Sequence, residues 1–374
     1  THRLRSPVVL WFGLFLGLIL AGLPFSLDPA QSARFLGTSL LPHVMTGVLV
    51  AASVRTVSDA EFLALGTLVG ACVHTLAVHA TAVVGPDGRW ANLPYYDPND
   101  LALMLVAMIP LTLYFMRRAS PTPRRLFAAA CFALFAYTIV RTGSRGGFVG
   151  FAVVIGYLLL RYRAVPARAR VIGAAVAVLA LAVGGQAYLS RLGTILRPTQ
   201  DYNWSAETGR VAIWRRGVGY VADRPLVGLG LNQFRTAESR LWMLAQQQRM
   251  AGRRPPPARG AHNMLLQVAA ELGLPALIAF VLLLGAAWRT LTRLPQWGAA
   301  DRSPDRALPA ALAASLLGFC VCGMFLHAAF FPILPFLLGL AVAVGYVGGA
   351  PAYPGRPRRG GLFSQGEGRG RAAV

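Results

Sequence analysis

Ten apolar stretches run along the chain, at residues 7–27, 35–54, 61–84, 100–116, 126–140, 146–160, 171–189, 263–288, 307–331 and 332–349. Each can cross, or nearly cross, a bilayer core about 30 Å thick as an α-helix. Several fall short of ~20 residues, so their ends are set only to within a few positions. Phe331-Pro332 alone separates the last two, which predicts a tight hairpin. The pattern predicts an all-α integral membrane fold with about ten transmembrane helices.

The polar residues between these stretches follow an order. Arg3/Arg5, Arg55, Arg117/Arg118/Arg124/Arg125, Arg161/Arg163/Arg168/Arg170, Arg289/Arg293/Arg302/Arg306 and Arg356/Arg358/Arg359 fall on alternate connections. Counting spans puts every cluster on one side, and the positive-inside rule makes that side the cytoplasm. One span more or fewer would break the alternation. Four regions follow: an N-terminal bundle of about seven helices (1–189), a translocated, periplasmic loop with interfacial helices (190–262), about three C-terminal helices (263–349) and a basic cytoplasmic tail expected to be disordered (350–374).

Composition agrees. Hydrophobic residues fill 55% of 374 positions and charged residues only 13%, about half the charge of an ordinary soluble domain. All 36 basic residues are Arg, against 14 acids, for a formal net charge of +22. Such charge can mark a nucleic-acid binder. These arginines instead punctuate apolar runs, so the expected surroundings are membrane lipids and no nucleic acid. Cys72, Cys131, Cys320 and Cys322 lie in apolar runs, not in loops where an oxidising compartment would use a disulfide, and read as small core residues. Gly13-x-x-x-Gly17 and Gly66-x-x-x-Gly70 predict close helix packing. His43, His74, His79 and His327 lie in apolar runs too, and His74 and His79 face different sides of one helix. With no carboxylate cluster at Mg²⁺ or Ca²⁺ spacing, no metal is expected. The chain begins at Thr1, and 7–27 lacks a convincing cleavage pattern, so it reads as a spanning helix.

The loop 190–262 holds twelve arginines and four acids. Long translocated loops escape the positive-inside rule, yet the excess needs a reason, and an anionic ligand is the simplest. Val211, Trp214, Val218 and Val221 keep helical spacing, and Pro225 stops that helix after Arg224. A second helix is predicted from Phe234 to Met250. Both suit the membrane interface. Arg253-Arg254-Pro255-Pro256-Pro257 then forms a stiff link toward His262.

His262-Asn263 sits where this loop re-enters the membrane. An imidazole at a water-accessible boundary can take a proton from a hydroxyl, or can simply be a satisfied interfacial side chain. Glu271 is the only acid in the following run, half a turn out of phase with His262. Glu271, like Asn263 and Arg141, could contact the substrate, or it could orient a neighbouring helix or an arginine. Arg145, in Thr142-Gly143-Ser144-Arg145-Gly146-Gly147, sits at a mouth between spans, where a guanidinium is costly and usually functional. Flanking glycines would let backbone approach a ligand. Arg141 beside it also reads as a snorkelling helix-end residue. Arg210 opens a helix, where a cation opposes the helix dipole unless an anion binds there. Arg215 and Arg216 follow on that helix, as partners of an anion or as solvated charges. Converging arginines suit a pyrophosphate, because the planar fork binds oxyanions bidentately. Asn99 and Asp100 cap the fourth span or contact a sugar.

These polar islands resemble the bacterial O-antigen ligases and the related O-antigen and exopolysaccharide polymerases. The matching pieces are Asp97-Pro98-Asn99-Asp100-Leu101-Ala102, Thr142 to Gly147, Gly209-Arg210-Val211-Ala212-Ile213-Trp214, Pro225 to Phe234 and Ala261-His262-Asn263-Met264-Leu265-Leu266. They keep the family's order over roughly residues 85–290. The resemblance implies a GT-C-like membrane glycosyltransferase of the inner membrane that needs no metal and no separate cofactor. It would transfer a glycan from undecaprenyl pyrophosphate, with inversion, to a hydroxyl at the periplasmic face. The family's His, Asn and later Gly fall on His262, Asn263 and Gly273, and its two essential arginines on Arg145 and Arg210. His262 would be the base and the arginines would hold the pyrophosphate. The acceptor would be another lipid-linked glycan for a polymerase, or lipid A core or protein for a ligase. Ala276 stands where the ligase pattern has Gly, Thr or Tyr, which leans the reading toward polymerase. A transporter would show charges inside several spans and repeated halves, and neither pattern is present.

Overall fold

The computed structural model describes residues 6–85, 90–91, 93, 96–116, 120–161, 193, 206, 209–249, 259–293 and 307–349. The apolar run 171–189 and the tail 350–374 lie outside these residues, as do the proline link and most of 190–208. Six helical segments are long and apolar enough to cross a membrane, and three shorter apolar helices join them. Helix α1 (Pro7–Gly22) leads through a tight turn to α2 (Pro29–Phe35), which continues by a π-turn into α3 (Leu41–Ser53). Next come α4 (Val57–Thr81), α5 (Pro98–Phe115), α6 (Thr122–Thr142) and α7 (Arg145–Arg161). The loop supplies α8 (Arg210–Asp223) and α9 (Phe234–Arg249), and α10 (Met264–Arg293), α11 (Ala307–Gly323) and α12 (Ile333–Gly349) complete the described bundle. The chain is an all-α integral membrane protein.

Helix α5 is the axis. Leu101, Leu103, Leu105, Val106 and Ile109 are all inaccessible, with α6, α7 and α11 around them. Helices α1, α3 and α4 turn Leu10, Leu49, Phe62 and Val73 outward, as a lipid-facing surface requires. Close crossings occur where a side chain would not fit: a Cβ on Gly47 would stand 2.5 Å from the Pro335 carbonyl oxygen, and one on Gly150 would stand 2.3 Å from Cys322 Sγ. The packing role expected of Gly13, Gly17, Gly66 and Gly70 is not met, since a Cβ added to any of them would meet no neighbour within 4 Å among the described residues. Their faces point away from the bundle.

Two connections differ from the hydrophobic pattern. A two-stranded antiparallel ribbon, β1 (Val83–Val84) with β2 (Trp90–Ala91), follows α4, pairing Val84 with Trp90. The predicted tight hairpin at Phe331-Pro332 is instead a nine-residue turn, 324–332, between α11 and α12. Apolar side chains kept this turn indistinguishable from helix in the sequence, and it brings His327 out of a span.

Helix α10 is broken near its start. Its 30 residues would extend about 45 Å as one rod, longer than a bilayer core. Gly273 interrupts it at φ 83°, ψ 173°, backbone open essentially to glycine alone. The break leaves two carbonyls without helical partners, because Pro275 has no N–H and the Leu274 N–H turns to Pro225 O at 2.7 Å. The loop fills both vacant bonds: Leu229 N–H donates to Ala270 O (2.8 Å) and Gly230 N–H to Glu271 O (2.7 Å). Irregular backbone at such depth persists only where protein satisfies it. The segment 225–230 is thereby stitched to the entrance of α10.

Candidate active site

The same segment docks on the turn between α1 and α2. Leu27 N–H donates to Leu229 O at 2.8 Å, Ser32 Oγ donates to Leu231 O at 2.8 Å, and buried Gln233 Nε2 reaches Ser32 Oγ at 3.1 Å. Helix α8 is clamped to α9 by Arg216, whose Nε and Nη2 donate to both oxygens of buried Glu238 at 2.9 and 2.5 Å. Tyr220 adds its hydroxyl at 2.8 Å. Arg216 therefore holds the loop together, while Arg215 is exposed one position earlier. Helical phase separates two residues of identical chemistry.

Arg145 and Arg210 each stand at the first position of a helix, α7 and α8. Gly143 ends α6 in the left-handed region at φ 61°, and Ser144 Oγ accepts from Gly147 N at 3.1 Å to cap α7. The glycines after Arg145 approach protein rather than leaving room for a ligand, since a Cβ on Gly146 would meet the Phe325 side chain at 3.2 Å and one on Gly147 the Ala102 Cβ at 2.6 Å. Contact with Phe325 sets Arg145 beside the turn 324–332. Arg141 lies 5.7 Å over the Trp90 ring, so it anchors the ribbon as a cation–π partner.

His262 precedes the N-cap of α10. Asn263 Oδ1 accepts from Leu265 N and Leu266 N, both at 3.0 Å, so its oxygen is used as the cap. His262 itself has φ 48°, uncommon for a side chain of its size and a form of strain that clusters at functional sites. Ala261 is held from both sides: its carbonyl accepts from Trp214 Nε1 at 3.0 Å, and its N–H donates to His327 Nδ1 at 3.1 Å. Burial, with the charges of Arg210, Arg259 and Arg235, lowers the His262 pKa to about 4, against the opposing pull of Asp97. The imidazole is neutral at neutral pH.

Around it converge the starts of α5, α8, α9 and α10. The cap of α5 is Asp97, whose Oδ1 accepts from Asn99 N at 2.6 Å and Asp100 N at 2.9 Å. The cap thus lies two and three positions ahead of the residues expected to provide it. Arg235, in the first turn of α9, acts electrostatically on His262, Asp100 and Glu271. Glu271 is fully buried, and its oxygens accept from Asn232 N at 3.0 Å and Phe234 N at 3.1 Å. It orients the loop rather than facing a sugar. Sequence reasoning missed Arg235, Arg259, Asp97 and His327. Span counting could have flagged His327, which falls at the same end of the bundle as His262. Among the described residues no three His, Cys, Asp or Glu side chains gather as a metal site would require.

Fold and site together define a multi-pass, all-α membrane protein with an arginine-rich site around one strained histidine at one end of its bundle. Residues 129–281 match a family model described as O-antigen ligase, so this stretch of the chain is similar to that family. The match runs from α6 into α10 and takes in Arg145, Arg210, Arg235 and His262. No curated protein matches the chain.

Proposed function

We propose that this protein is an inverting, metal-independent GT-C-type glycosyltransferase that transfers a glycan from undecaprenyl pyrophosphate at the periplasmic face of the inner membrane. The description of the family model that residues 129–281 match, O-antigen ligase, supports ligase-type glycan transfer. The observation supporting the finer reading is His262, neutral and strained, under the field of Arg210, Arg235 and Arg259. The acceptor hydroxyl gives its proton to the imidazole as its oxygen attacks the anomeric carbon. The bond from that carbon to the pyrophosphate oxygen breaks, and the lipid pyrophosphate leaves with the electron pair. Arg145 and Arg210, each added to a helix N-terminus, stabilise the charge that grows on it. Burial is the main cause of the low His262 pKa, and the donor's negative charge opposes only the smaller part that comes from the arginines. The lipid pyrophosphate is already activated, and no separate cofactor takes part.

The acceptor in this reading is a second lipid-linked glycan, making the protein a polymerase of O-antigen or exopolysaccharide. The matched family's description favours a second reading, in which the acceptor is lipid A core. Purified protein given lipid-linked repeats alone should build a ladder of longer lipid-linked glycans, with EDTA present or absent. Transfer only after lipid A core is supplied would establish the ligase. Loss of transfer in EDTA with recovery in Mg²⁺ would remove the metal-free mechanism. Arg145→Ala and Arg210→Ala should weaken donor binding as well as rate. Arg210→Lys should recover little, because a point ammonium cannot replace the planar fork.

A further inference from the structure

We propose that Glu271 and His327 form a buried positioning pair that sets His262 and Arg235 relative to one another, an inference that rests on His262 being the base. His327 Nδ1 accepts the Ala261 N–H at 3.1 Å, so its ring is neutral and its proton sits on Nε2. That Nε2 is buried without a direct hydrogen-bond partner among the described residues and lies 3.7 Å from Glu271 Oε1, just beyond hydrogen-bond reach. The same carboxylate holds Asn232 N–H and Phe234 N–H, and Arg235 is the next residue. One end of the pair thus holds the backbone before the base, and the other holds the backbone before an arginine.

The surroundings are built for this. Gly260 presses on the imidazole, where a Cβ would stand 2.9 Å from His327 Cγ. Gln267 Oε1 accepts from Ala329 N at 3.0 Å, tying the His327 turn to α10 one helical turn before Glu271. The Phe234 ring lies 6.3 Å from the His327 ring. Neither His327 nor Glu271 needs to touch substrate. Both act through backbone they hold.

The test uses the full chain in detergent, with lipid-linked donor, and three substitutions at one position. His327→Asn keeps an acceptor where Nδ1 stood, His327→Gln moves the amide outward, and His327→Leu removes both. Turnover in His327→Asn should stay within about threefold of wild type, while His327→Gln and His327→Leu fall about 10²-fold at nearly constant donor KM, as for a misplaced base. Hydrogen exchange supplies a readout that needs no substrate: the Ala261 amide should stay protected in wild type and His327→Asn and exchange faster in the other two. In Glu271→Gln, which keeps one acceptor oxygen and turns the other into a donor, one of the Asn232 and Phe234 amides should lose protection. Wild-type kcat and exchange in His327→Leu would overturn the pair, as would equal losses in all three variants that follow melting temperature. Should wild-type protein show no transfer, the reading of His262 as base fails by itself, and the exchange experiment alone decides the pair.

Discussion

The indole N–H of Trp214 donates to the carbonyl oxygen of Ala261 at 3.0 Å, and this bond fastens α8 to the residue before His262. Arg210 stands four residues ahead of Trp214, one helical turn away. This contact thus helps to set the distance between Arg210 and His262. Trp214→Phe keeps the ring and removes the donor, leaving buried Ala261 with an unpaired carbonyl. Stability should fall by about 1 kcal/mol in thermal melts, and turnover should fall further than that loss explains.

His262 gives a pH signature. Its pKa drops from 6.5 to about 4 in the folded protein, so between these values the unfolded chain binds a proton that the folded chain refuses. Its neutral burial costs no stability above pH 6.5, and stability is lost as pH falls toward about 4. Melts from pH 7.5 downward should show a smaller acid loss in His262→Asn than in wild type. His262→Ala should also lower turnover ~10²–10⁴-fold with donor binding retained. Normal turnover in that variant would sink the mechanism.

Gly273 should tolerate no side chain. Its φ of 83° and a Cβ position 2.4 Å from Leu226 O put strain and clash at one place. Gly273→Ala should cost at least about 1–3 kcal/mol in melting experiments and loosen 225–230 toward hydrogen exchange. Gly66→Ala, on an open helix face, should be harmless in the same assay.

Arg215 and Arg216 should separate cleanly. Arg216→Ala leaves the Glu238 carboxylate, 2% exposed, without its guanidinium and should cost about 3 kcal/mol. Arg215→Ala should stay within about 0.5 kcal/mol. An Arg216→Ala, Glu238→Ala double variant should lose less than the two singles added. Additive losses would mean the clamp contributes nothing.

Topology follows from the arginine alternation. A cysteine at Gln247 should label from outside intact spheroplasts and one at Ser364 only after lysis, each in a background lacking the four native cysteines. The opposite result would invert the bundle.

The sequence by itself determined the membrane class, the apolar helices among the described residues to within their ends, the two loop helices and the positions of the motif residues His262, Arg145 and Arg210. Apolar length and helical periodicity are local properties, and a burial pattern of 3.6 residues is readable without knowing what covers it. Pro225 after Arg224 marked a helix end for the same reason. Tertiary structure alone decided which polar residues serve the site and which hold it. Arg216 is paired and Arg215 exposed because α9 presents Glu238 to one face of α8 only. Glu271, out of phase with His262 along its own helix, holds a loop that reaches it from 37 and 39 residues earlier in the chain. His327 reads as one more residue of an apolar run until the turn 324–332 carries it to Ala261. A hydrogen bond between residues 66 apart leaves no periodic trace in sequence, because it depends on how three separate helices end at one place.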